Sequence, residues 1–175
     1  FGIRQPVEEH ALLGRIRKEL RAPIVSVSYA NPILRFGAER FADRAREVGV
    51  DGVLVLDLPI EEADEFRGLL RAREIDTILL LSPTTTDERL RKAASLGSGF
   101  LYAISRLGVT GARDQVASGV EEMVGRIRAV SPLPVALGFG ISKPEHVREV
   151  CQWADAAVVG SALVNVIAEA GPSHD

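Results

Sequence analysis

Apolar residues along this chain arrive in short bursts. Six of them stand out: PIVSV from Pro23, GVLVLDL from Gly52, TILLLS from Thr77, GFLYAIS from Gly99, LPVALGF from Leu133 and DAAVVGS from Asp155. Each is rich in Val, Ile and Leu and lacks strict alternation, the pattern of strands buried on both faces of a parallel sheet. Between the bursts lie charged stretches with helical spacing. Val120, Met123, Val124 and Ile127 fall at i, i+3, i+4 and i+7, with Glu121, Glu122, Arg126 and Arg128 around them. Leu13, Ile16 and Leu20 make a similar stripe after Pro6. Thr86 before DERL and Ser142 before KPEHV are expected N-caps, with Pro144 in a first helical turn.

The predicted order is a helix followed by six strand–helix units, with no linker or low-complexity segment. Strict β/α alternation leaves an open doubly wound sheet or a β/α barrel. A dinucleotide fold would carry G-x-G-x-x-G after its first strand. Here the glycine-rich turns follow the last three strands, and GFGISK has Lys143 where a third glycine would stand. Barrels often hold phosphate in the loops after their last two strands. The expectation is therefore α/β, a TIM-type (β/α)8 barrel that is incomplete, with about six parallel strands, and residues 1–175 forming one barrel domain.

Composition changes this picture little. Apolar residues make up 46% and charged ones 26%, and the net charge is −3 with no basic block, which argues against nucleic acid or an anionic membrane as the main partner. The single cysteine, Cys151, cannot form an internal disulfide and fits a reducing cytoplasm. No apolar run approaches the roughly 18 residues of a membrane span.

Three glycine-bearing turns carry the candidate chemistry: SRLGVTGA (Ser105–Ala112), GFGIS (Gly138–Ser142) and VVGSALV (Val158–Val164), the last running from Gly160 and Ser161 straight into a helix. Backbone N–H groups at a strand's carboxyl end, joined by a helix start, attract an anion without a lysine. The plain alternative is that glycine relieves crowding where a strand turns into a helix. Asp57 ends the second strand, as a site residue or a turn aspartate. Tyr102 lies in the fourth strand, as a site residue or a core tyrosine with a satisfied hydroxyl. Tyr29 and Asn31 end the first strand beside Pro32. His10 and His146 sit among charges and are expected at the surface, Arg106 in a solvated loop, and Cys151 and Trp153 in packing. No metal-ligand cluster and no nucleophile beside a base is legible.

Three phrases, YANPILRFGAERFADRAREVGVDGVLVLDLPIEEADEF, LLLSPTTTDERLRKAASLGSGFLYAISRLGVTGAR and PVALGFGISKPEHV followed by ADAAVVGSALV, together resemble the tryptophan synthase alpha chain family over nearly the whole sequence. The resemblance implies a lyase of tryptophan biosynthesis, a β/α barrel that splits indole-3-glycerol phosphate into indole and glyceraldehyde 3-phosphate. It implies a tryptophan synthase beta chain as partner, carrying the pyridoxal phosphate, and no cofactor in this chain. It places the substrate phosphate against Gly111, Gly140, Gly160 and Ser161, Tyr102 near the catalytic centre, Thr110 in a loop that closes over substrate and Asp57 in a loop that meets it. Tyr29, Asn31 and Pro32 would lie near the face presented to the beta chain. The family's catalytic glutamate and aspartate belong to its second strand and the loop after it. No residue here matches them, so the first two strands are expected to be missing and the fragment inactive. Glu8, Glu9 and Glu19 are helix-surface residues by pattern and do not fill that role. Open sheet edges would favour self-association. Two other readings stay open: a non-catalytic phosphate-binding or beta-chain-binding remnant, and a free-standing indole-3-glycerol phosphate lyase. A phosphate-binding barrel enzyme of another pathway conflicts with the run SRLGVTG.

Overall fold

Every apolar burst forms a strand in the computed structural model of the chain, which describes residues 6–105, 113–138 and 140–171, with side chains left aside at 6–9 and 113–118. The strands are β1 (Val25–Ser28), β2 (Gly52–Val55), β3 (Asp76–Leu81), β4 (Leu101–Ile104), β5 (Val135–Gly138) and β6 (Ala156–Val158). The helices are α1 (Pro6–Ile16), α2 (Ala30–Phe36), α3 (Ala38–Glu47), α4 (Ala63–Arg71), α5 (Asp87–Leu96), α6 (Arg113–Arg128), α7 (Pro144–Val150) and α8 (Ser161–Ala170), with a 3-10 turn at Ile60–Glu62. Two compact units divide the chain: Phe1–Leu80 with Ser95–Gly99, and Leu81–Ala94 with Phe100–Asp175.

In the first unit β1 pairs with β2 and β2 with β3, all parallel. Its core gathers Phe41, Ala42 and Ala45 of α3, Phe66 and Leu70 of α4, and Val50, Val53 and Ile75. On the inner face of α3 the two alanines are small and Phe41 supplies the bulk. His10 belongs to this core and not to the surface expected for it. It is fully buried, with its ring 5.1 Å from that of Phe41 and 6.1 Å from that of Phe36. An imidazole presents an aromatic body to other rings, and aromatic pairs favour such edge-on and tilted contacts. The predicted α1 stripe is rotated accordingly. Leu13 packs inward, one turn on from His10, whereas Ile16 and Leu20 are about two-fifths exposed. The unpredicted α2 contains Pro32. A proline in a helix's first turn removes an N–H that has no partner there anyway.

In the second unit β4 pairs with β5 and β5 with β6, again parallel. The α6 stripe is as the periodicity predicts: Val120, Met123, Val124 and Ile127 are all buried. α8 differs, since none of its residues is buried and Leu163, Val166 and Ile167 are more than half exposed.

A small motif repeats at the amino ends of the strands. Asp155, just before β6, donates its N–H to the Val135 carbonyl (2.9 Å) while its Oδ2 accepts the Val135 N–H (2.8 Å). Asp51, just before β2, does the same with Ile24 at 2.9 and 2.7 Å. Ser98 repeats the exchange with Thr77 through its hydroxyl, at 2.9 Å in both directions. Each side chain completes the ladder where a strand begins and an amide at its start would otherwise lack a partner. Arg17 stands beside Asp51 at 3.4 Å and Arg128 beside Asp155 at 3.2 Å.

The turn after β3 is fastened differently. Ser82 donates its N–H to Thr85 Oγ1 (3.0 Å), and Thr86 Oγ1 accepts the Arg89 N–H (3.4 Å), which makes Thr86 the expected cap of α5. Arg126 of α6 reaches back to donate to the Thr85 carbonyl and to Asp87 Oδ1, each at 2.7 Å. These bonds from Arg126 hold the Asp87 carboxyl below the usual carboxylate range. The pair therefore adds stability above the ordinary Asp pKa of about 3.9 and loses it as pH falls through the lowered value. Asp87→Asn should lower the urea midpoint at pH 7. That gap should shrink as the pH falls below the ordinary Asp value and close as it passes through the lowered one.

Candidate functional site

Parallel pairing in the second unit puts three strand ends in one row. Ile104 is the register partner of Gly138, and Gly138 of Val158. The Ser105 N–H then extends the ladder to the Gly138 carbonyl at 3.0 Å. Adjacent strands lie about 4.8 Å apart, so the row is roughly 10 Å wide. From it depart the chain segments that follow β4, β5 and β6. Carboxyl ends of parallel strands are where barrel and open-sheet enzymes keep their sites.

The two glycines of GFG answer different demands. Gly138 lies under Tyr102. A Cβ built on it would fall 2.8 and 2.9 Å from Cε2 and Cζ of that ring, and closer still to its hydroxyl oxygen. Such contacts are tighter than any side chain tolerates. Gly140 has open space around it but a φ of +46°, where an L side chain is strained. The first glycine therefore makes room for a tyrosine, and the second shapes a turn whose backbone stays bare.

Tyr102 itself is half-buried in β4, and burial pushes its phenol pKa up. At neutral pH it carries its proton and can donate it in a hydrogen bond. Gly160 is the N-cap of α8 and Ser161 its first residue, and the cap gives the first amides of that helix no side-chain bond. Those amides, with the helix dipole, make the start of α8 electropositive.

Among the residues expected at the site, Tyr102, Gly140, Gly160 and Ser161 thus share the carboxyl-end side of one unit. Thr110 and Gly111 lie outside the described residues. Asp57 belongs to the other unit. There its exposed carboxylate accepts the Ala30 N–H at 2.6 Å and ties the turn after β2 to the start of α2. Tyr29 and Asn31 are exposed at that same helix start. Ser142 does not cap α7. The N-cap is Lys143, without a side-chain bond, and the Ser142 N–H instead donates to His146 Nδ1 at 3.3 Å. His146 is half-buried rather than on the open surface. Reasoning from sequence missed this contact, although the spacing S-x-x-x-H at a helix start was there to be read.

The arrangement defines an α/β protein of the barrel type, with a bare-backbone turn and a helix start at the carboxyl ends of the second unit's strands. A family model described as "Tryptophan synthase alpha chain" matches residues 6–175, and the chain belongs to that family. The tryptophan synthase alpha chain of Roseiflexus sp. (strain RS-1) is 44% identical over 99% of this chain and 66% of its own length. That of Geobacter sp. (strain M21) is 48% identical over 87% of this chain and 57% of its own. Among solved structures, one from the tryptophan synthase α2β2 complex of Pyrococcus furiosus superposes with a TM-score of 0.84 at 40% identity, over 94% of this chain and 66% of the other. The alpha subunit from Legionella pneumophila str. Paris gives 0.84 at 34% identity, over 94% of this chain and 61% of the other. The chain spans about three fifths of the length of the curated relatives it matches.

The tyrosine–glycine packing yields a test. Gly138→Ala should destabilise the chain by about 1–3 kcal/mol in urea denaturation, as overpacking does. Combining it with Tyr102→Leu should recover most of that loss relative to Tyr102→Leu alone. Additive losses would mean that the two residues do not meet.

Proposed function

We propose that this chain supplies the phosphate-gripping part of a tryptophan synthase alpha site, acting on indole-3-glycerol phosphate. The observation that carries the reading is the row Ile104, Gly138 and Val158, from which all three glycine-bearing segments of the family motif depart. The amides at Gly140, Gly160 and Ser161 would face the phosphate oxygens, joined by Gly111. The start of α8 adds a positive end that needs no counter-ion side chain. Thr110 would belong to the segment that closes over the substrate, Asp57 to the loop that meets it. Tyr102 would stand beside the reacting part of the substrate as a neutral O–H donor.

In the reaction, the bond between indole C3 and the glycerol side chain breaks. Its electron pair passes to the indole ring, which takes a proton at C3. The hydroxyl on the departing carbon loses its proton and becomes the aldehyde of glyceraldehyde 3-phosphate. A positioned acid or base contributes typically 10²–10⁴ in rate to each such transfer. None of these 175 residues matches the family's glutamate and aspartate. Phosphate contacts hold the substrate equally before and during bond breaking, so they lower no barrier alone. These residues by themselves bind the phosphate ester without turning it over.

A beta chain as partner is supported by the surface around α2. Tyr29 and Leu34 are 47% and 68% exposed. Beside them a groove of about 430 Å³ is lined by Ile33, Leu34, Leu58, Phe66 and Leu69. Pyridoxal phosphate would belong to that partner. Reducing cytoplasm is the compartment that suits an exposed lone Cys151.

Calorimetric titration with glycerol 3-phosphate should detect binding, and Ser161→Ala, which keeps the amide but takes away the hydroxyl beside that helix start, should weaken it about threefold to tenfold. Indole release from indole-3-glycerol phosphate by the purified 175-residue chain should be undetectable, with or without beta chain. No binding refutes the phosphate reading, and turnover at the rate of a whole alpha chain refutes the assignment of chemistry elsewhere. Self-association follows from Val27 of β1, 52% exposed, and from the apolar α8. Light scattering should give a mass above 18.9 kDa that rises with concentration; a monomer throughout would rule it out.

A further inference from the structure

The turn between β5 and α7 has little to hold it. Among the described residues beyond its chain neighbours, nothing lies within 4 Å of the Cβ position at Gly140. Ile141 is the first anchor, with only 4% of its surface exposed. Ser142 and Lys143 are exposed, and Lys143, though the N-cap of α7, gives the helix no side-chain bond. The second anchor is the Ser142 N–H, which donates to His146 Nδ1 at 3.3 Å. His146 in turn donates its own N–H to the Lys143 carbonyl at 3.1 Å.

His146 is the third residue of α7, the position from which Glu or Gln reaches back in a capping box. Here an imidazole makes the reach, one residue further out. Because an N–H points at Nδ1, that nitrogen is the acceptor and the ring proton sits on Nε2. The bond spans the turn beyond the buried Ile141, so the two anchors hold the chain directly after Gly140.

We propose that His146 is a positioning residue for the phosphate turn, its imidazole holding Gly140–Lys143 so that the Gly140 amide meets the anion. The inference rests on the reading that Gly140 binds the substrate phosphate. His146 touches neither the phosphate nor the reacting atoms.

The test compares wild type, His146→Phe, His146→Ala and His146→Gln in the 175-residue chain. Phe keeps the ring without the acceptor, and Gln restores an acceptor at the capping-box position. Glycerol 3-phosphate affinity should fall roughly threefold to tenfold in the Phe and Ala variants, the effect of one lost hydrogen bond. It should return to within about twofold in the Gln variant. Amide exchange at Ser142 should accelerate in step, while the urea midpoint stays put. Unchanged affinity in both Phe and Ala variants, or no recovery with Gln, overturns the proposal. If wild type binds no glycerol phosphate, the phosphate reading falls, and exchange at Ser142 decides the rest. Slow exchange in wild type and Gln with fast exchange in Phe and Ala keeps His146 as the turn's anchor. Equal exchange in all four removes it.

Discussion

In-register parallel pairing of β4, β5 and β6 is the constraint on which the rest depends. Parallel strands point all their carboxyl ends one way, and the pairing of Ile104, Gly138 and Val158 brings those ends level. A slip of one residue would turn Tyr102 and Gly138 onto opposite faces and scatter the turns that follow. Without that alignment the segments that follow these strands would not start side by side.

The two ends of the strands divide the labour. At the amino ends, Asp51, Ser98 and Asp155 exchange bonds with a residue at the start of the preceding strand and close the ladder there. At the carboxyl ends, Gly140 and Gly160 leave bare backbone within two residues of the row. Stability and chemistry can then vary separately, the usual arrangement in barrel proteins. Arg126 shows the same economy on the β3 turn, where one guanidinium holds both a backbone carbonyl and the acid that starts α5. Its rigid fork of donors suits that double contact better than an ammonium would.

Much of the fold was legible in the order of residues. Strands buried on both faces announce themselves as unbroken Val, Ile and Leu, and the α6 stripe followed from spacing alone. What was not legible depended on partners distant in sequence. His10 reads as a surface residue beside Glu8 and Glu9, and only the rings of Phe36 and Phe41 draw it inward. Asn31-Pro32 reads as a turn and proves to be a helix start. Of the candidate site, the glycine turns and Tyr102 could be named in advance, but not why each glycine is needed. The letters of GFG are alike, whereas the demands on them, room for a ring at one and a left-handed φ at the other, appear only in three dimensions. Asp57 was legible as the end of a strand, and its bond to Ala30 was not.

The seat of Tyr102 over Gly138 also orders the routes by which this sequence can drift. A bulkier residue entering at 138 first meets an aromatic ring that must shift. A smaller residue entering at 102 first merely opens a hollow, which the later arrival can fill. Exchange at these two positions therefore has a direction, tyrosine yielding before glycine, and descendants that carry a side chain at 138 should have passed through a shrunken neighbour.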